Sequence, residues 1–154
     1  MAKTHFSGIG LSSAGRIADV TASTLAVSED THEGLTVTLN RAAGIAVTLP
    51  AATGGGARYR FILGTSVTSN STTIKVANAS DVMCGTATLF QDAGDTVVGF
   101  ACAATDDTIT MNGSTLGGLK GAHVFITDVA VNLWHVDYIS DASGTEATPF
   151  SATV

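Results

Sequence analysis

The stretch Leu35-Thr36-Val37-Thr38-Leu39, followed after Asn40-Arg41-Ala42-Ala43-Gly44 by Ile45-Ala46-Val47-Thr48-Leu49-Pro50, decides the fold of this chain. Leu35, Val37 and Leu39 alternate with threonine, and Ile45, Val47 and Leu49 alternate with Ala46 and Thr48. A period of two puts one apolar and one polar or small face on each segment, the pattern of half-buried β-strands rather than of helices. Read by themselves, the two segments predict a hairpin with one apolar and one hydroxyl face. Pro50 ends the second strand, because it has no N–H to offer a ladder.

The same alternation continues outward. Ala51 to Gly56 predicts a flexible loop with three glycines, and in the next strand Tyr59, Phe61 and Leu63 share a face opposite Arg58 and Arg60. Further strands are predicted over 72–77, 82–90, 96–103, 108–112, 120–128 and 131–139, parted by turn clusters such as Ser69-Asn70-Ser71 and Asn112-Gly113-Ser114. In the last of these strands Trp134, Val136 and Tyr138 face one way, and their bulk assigns them to the core with Tyr59, Phe61, Ile74 and Val47. Thr73-Ile74-Lys75-Val76-Ala77-Asn78 and Thr108-Ile109-Thr110-Met111-Asn112-Gly113 echo one another. The fold class is all-β: an antiparallel sandwich or barrel of eight to nine short strands with an extended N-terminal arm.

Residues 1–30 read as that arm. Gly8, Gly10 and Gly15 interrupt apolar residues of irregular spacing, so a partner surface is needed to cover Phe6, Ile9 and Leu11. Residues 31–140 form the β-domain, and 141–154 form a polar tail in which Phe150 is a candidate docking point. Arg58 and Arg60, side by side on one strand face, are candidate contacts for acidic groups of a partner.

Composition narrows the function. Of the 154 residues only 13% are charged, while 23 are Thr, 13 Ser and 17 Gly. Low charge and an apolar share of 45% exclude the composition of a disordered chain. A net charge of −6 with scattered bases argues against nucleic acid as a partner, and no 18-residue apolar window argues for a membrane span. Cys84 and Cys102 sit among small and apolar neighbours and read as buried thiols. His123, His135, Asp128 and Asp137 fall on neighbouring predicted strands, but they read as surface polar residues, because no hydrolase or metal motif accompanies them. No catalytic, cofactor-binding or metal-ligating residue is assigned. Few charges and hydroxyl-rich faces suit a subunit covered by other subunits, that is, a homo-oligomer.

Within Val27 to Leu63, the segment Gly44-Ile45-Ala46-Val47-Thr48-Leu49-Pro50-Ala51-Ala52-Thr53-Gly54-Gly55-Gly56-Ala57-Arg58-Tyr59-Arg60-Phe61 resembles one recurring in small structural proteins of tailed bacteriophages. There a Gly-x-x-Val-Thr-Leu-Pro strand leads through a small-residue loop to an aromatic-containing strand. Val67-Thr68-Ser69-Asn70, Thr73-Ile74-Lys75-Val76 and Gly144-Thr145-Glu146-Ala147-Thr148-Pro149-Phe150 are similar as well. The family is that of capsid decoration, or cement, proteins. The resemblance implies a non-enzymatic protein, made in the host cytoplasm, that clips onto major capsid protein on the virion exterior, often as a homotrimer, and resists internal genome pressure. The reading from another class is a carbohydrate- or receptor-binding β-module of a virion. It is less favoured because one Trp, two Tyr and six Phe, most on core faces, leave few aromatic platforms.

Overall fold

In the computed structural model the described residues are 17–91, 94 and 96–154. The chain runs through β1 (Ile17–Val20), β2 (Thr24–Ala26), the helical turn α1 (Glu29–His32), β3 (Thr36–Leu39), β4 (Ala46–Thr48), β5 (Arg58–Leu63) and β6 (Thr72–Lys75). It continues through β7 (Val82–Gln91), β8 (Val97–Ala101), β9 (Thr108–Met111), β10 (His123–Ala130), β11 (Leu133–Ala142) and β12 (Phe150–Ser151). Two sheets result, a larger one in the order β1-β3-β5-β10-β11-β7-β8 and a smaller one in the order β12-β9-β6-β4-β2. The protein is the expected all-β sandwich, but its two sheets are mixed rather than antiparallel, because several neighbouring strands pair in parallel. Among the described residues it has twelve strands rather than eight or nine, the additional ones being β1, β2 and β12 in the segments read as arm and tail.

The hairpin expectation is corrected. β3 and β4 lie in different sheets, and each pairs in parallel with the strands one winding before and after it: β1–β3–β5 in the larger sheet and β2–β4–β6 in the smaller. Residues 17–75 therefore wind three times between the sheets, like a short solenoid, and β7–β11 is parallel too. The remaining pairings are antiparallel, so both sheets are mixed. At the crossing from β3 to β4, Gly44 has φ 77° and lies hard against the Ser71 carbonyl, where no Cβ would fit.

Winding stacks like on like. In the smaller sheet the inward row is Leu25, Val47, Ile74, Ile109 and Phe150, apolar across all five strands. The two echoing segments of the sequence are thus antiparallel neighbours, with Ile74 opposite Ile109. In the larger sheet Val37, Phe61, Val124, Tyr138 and Ala87 form one inward row. Trp134, Tyr59, Phe61, Val136, Ile74 and Val47 are all buried, as their phase predicted. Val27 is buried with them, and Ala18, Val20 and Leu25 pack against that core. Residues 17–27 thus belong to the sandwich, and removing 1–30 takes a winding out of it.

The tail is likewise structural. Phe150 is 5% exposed and pairs with Ile109, so its ring serves this chain's own core and is not free to dock elsewhere. Asp107 accepts hydrogen bonds from the backbone N–H groups of Thr153 (2.8 Å) and Val154 (3.1 Å) and from the Thr108 hydroxyl (2.8 Å). Burial pushes the Asp107 carboxyl up, but these donors, with Lys75 nearby, outweigh it and hold the group below the usual carboxylate range. A depressed folded value contributes stability above the ordinary carboxylate pKa and loses it as pH falls through the depressed one. Exchange of the Thr153 and Val154 amides is therefore expected to accelerate, relative to core strands, as pH falls below about 4. In Asp107→Asn the amides should exchange fast at every pH, and a wild-type profile in that variant would reject the clamp.

Candidate functional site

The outward residues of the larger sheet form the candidate site, an exposed face that combines cationic, aromatic and apolar side chains. Their phase follows from the core: with Val124 and Ile126 inward on β10, His123, Phe125 and Thr127 point out, and with Tyr59, Phe61 and Leu63 inward on β5, Arg58, Arg60 and Ile62 point out. Register aligns Arg60 with Phe125 and Asp137, Ile62 with His123 and Ile139, and Arg58 with Thr127 and His135. The Arg60 guanidinium lies 5.2 Å from the centre of the Phe125 ring, in cation–π range, and His123 meets the same ring edge-on at 5.4 Å. Phe125 remains 40% exposed. A groove of about 370 Å³ beside it is lined by Thr36, Arg58, Arg60, Phe125 and Thr127.

The loop beneath is held rigidly. Asp128, the inward residue after Thr127, is buried and accepts hydrogen bonds from the N–H groups of Thr53 (3.0 Å), Gly54 (2.8 Å) and Gly55 (3.0 Å) and from the Thr53 hydroxyl (3.0 Å). The glycine loop is thus tied down rather than flexible. Burial raises the Asp128 carboxyl, yet four donors pull it below the ordinary range. Tyr59, under the groove, is pushed up to about 12 by burial and by Glu29, Glu33 and Asp128, so it stays a neutral phenol.

Of the sequence-derived contact residues, Arg58 and Arg60 lie together on this face, Phe150 is in the core at the smaller sheet, and Phe6, Ile9 and Leu11 lie outside the described residues. The four polar residues considered for chemistry are divided by the sheet: His123, His135 and Asp137 point out, whereas Asp128 points in. Among the described residues no group of three or more His, Cys, Asp or Glu is gathered as a metal site would need. Cys84 and Cys102 are unbridged and half-buried rather than fully enclosed. Burial, then Asp106 and Cys84, push the Cys102 thiol up to about 12, so it is not a thiolate nucleophile at neutral pH.

Sequence reasoning missed Phe125. It sits in the unbroken apolar run Val124-Phe125-Ile126, and only strict alternation from its neighbours would have turned it outward.

A second feature is the first winding. Among the described residues β1 and β2 each end their sheet on the same side of the strand order, and Ile17 on β1 is 65% exposed. Among the described residues no helix is long and apolar enough to cross a membrane. No family model, curated protein or solved structure matches this chain.

Proposed function

We propose that this chain is a non-enzymatic virion structural protein that attaches to major capsid protein on the outer surface of a phage capsid and stabilises the shell. The observation that carries the reading is the first winding, whose strands β1 and β2 are, among the described residues, the edges of the two sheets. A strand edge carries backbone groups ready to pair with a neighbouring chain, and two edges side by side offer a doubled ladder site on a rigid body. The resemblance to decoration proteins centres on the second and third windings, which support that edge pair. The sugar-binding alternative is supported less, because Trp134, Tyr59 and Tyr138, the residues best suited to stack on sugar rings, are buried.

Co-expression with a phage major capsid protein, followed by electron microscopy of the purified capsids, tests the reading: decoration gives density at fixed lattice positions. In co-sedimentation, Ile17→Lys is expected to weaken capsid binding at least about tenfold while leaving the folded chain intact, because an edge lysine blocks strand addition. Capsids free of the protein at micromolar concentration would refute attachment. Undiminished binding of Ile17→Lys would move the contact away from the first winding.

A further inference from the structure

Two adjacent rows at the centre of the larger sheet's outer face are self-complementary. β10 is the middle of seven strands, with β5, β3 and β1 on one side and β11, β7 and β8 on the other. One outward row, read across the central five strands, is Thr38, Ile62, His123, Ile139 and Thr88. About His123 it is a palindrome. The adjacent row is Thr36, Arg60, Phe125, Asp137 and Thr86, which becomes a palindrome about Phe125 once a positive charge is matched to a negative one.

We propose that this face is the interface of a two-fold dimer, in which two copies of the chain stack their larger sheets with β10 over β10. Half a turn about an axis along β10 exchanges its flanks, so β5 of one copy faces β11 of the other and β3 faces β7. Arg60 then meets Asp137 of the second copy and Asp137 meets Arg60, Ile62 meets Ile139, the threonines meet threonines, and Phe125 packs on its twin at the axis. Such an isologous contact uses one patch twice, and closure follows from the symmetry. Aligned stacking of sheets about 10 Å apart, with strand directions within about 30°, is the ordinary geometry for two β faces.

Size and charge agree with this occupant. Seven strands at about 4.8 Å spacing make a face about 29 Å wide, the scale of an interface burying about 800 Å² per partner. The chain's net charge of −6 opposes association at long range, so contact requires local compensation, and the two Arg60–Asp137 pairs provide it. Neither row sets carboxylate against carboxylate. An unrelated partner would impose no mirror relation between β5 and β11. The inference goes beyond capsid attachment: it uses the broad outer face of the larger sheet, at whose margin Ile17 stands in the Thr36 row, whereas attachment uses the backbone edges of β1 and β2.

Sedimentation velocity on the purified chain, without capsid, is the test. Wild type is expected to be a dimer at micromolar concentration, Arg60→Asp and Asp137→Arg are each expected to weaken dimerisation by at least about tenfold, and the double variant R60D/D137R to restore it. Circular dichroism checks that each variant is folded. Should either single variant fail to fold, Phe125→Glu reads the same centre by placing two carboxylates at the axis, and it must dissociate the dimer. A monomeric wild type, a trimer, single reversals without effect, or a double variant that stays dissociated would each overturn the proposal. A monomer that still decorates capsids would overturn it while leaving the proposed function standing.

Discussion

Gly85→Ala is expected to abolish the native fold or to lower its stability by more than about 4 kcal/mol, a large part of the roughly 5–15 kcal/mol typical of a folded domain. Gly85 lies in β7 opposite Val136 of β11, in the parallel pair that joins β7 and β8 to the centre of the larger sheet. Its φ is 131°, a region that residues with a Cβ rarely adopt. An added methyl would run into the Val136 carbonyl oxygen and come within 2.9 Å of its carbonyl carbon and 3.0 Å of its nitrogen. Backbone cannot step aside as a flexible side chain can, so the two strands must part. Parting them uncovers Trp134, Val136 and Met83 on the same strands, all buried. Gly99→Ala in β8 meets nothing within 4 Å and is the control, expected to shift stability by about 0.5 kcal/mol or less. Urea unfolding followed by tryptophan fluorescence measures both; a Gly85→Ala midpoint equal to that of Gly99→Ala would show that the β7–β11 pairing is not as tight as described.

Asp128→Ala is expected to cost about 3–4 kcal/mol, because four donors lose one carboxylate and hydrogen bonds to a charged group contribute about 1.5–3 kcal/mol each, partly recovered here as water reaches the exposed loop. The sign with pH follows from the depressed carboxyl: its stabilisation is present above the ordinary pKa and disappears as pH falls through the lower folded value. Wild type and Asp128→Ala should therefore differ most above about pH 5 and draw together as pH falls below the ordinary carboxylate range toward the lower folded value. Asp128→Asn preserves shape but leaves one oxygen to accept where two did, and it is expected to fall between them with no such convergence. A difference between wild type and Asp128→Ala that is constant from acid to neutral pH would mean that packing, not the charged acceptor, holds the loop over Thr53 to Gly55.

Period-two alternation is a local property, and it identified the all-β class, nine of the strands and the inward phase of Trp134, Tyr59 and Val47, because a side chain's face depends only on its place along its own strand. It also placed Arg58 and Arg60 together on an outer face. Strand partners depend on where the chain goes after each strand. The five residues after Leu39 suit a tight turn as well as a crossing to the other sheet, and the choice rests on contacts with residues far along the chain, such as Gly44 against Ser71. The same holds for β1, β2 and β12, whose short segments carry little periodicity of their own and become strands because Val37, Val47 and Ile109 offer rows to extend. The sequence by itself therefore determined what each strand turns inward and outward. Only the tertiary structure decided which strands are neighbours, and hence that Arg60, Phe125 and Asp137, far apart in sequence, stand in one row: register is set by long-range packing of the whole core, which no local pattern contains.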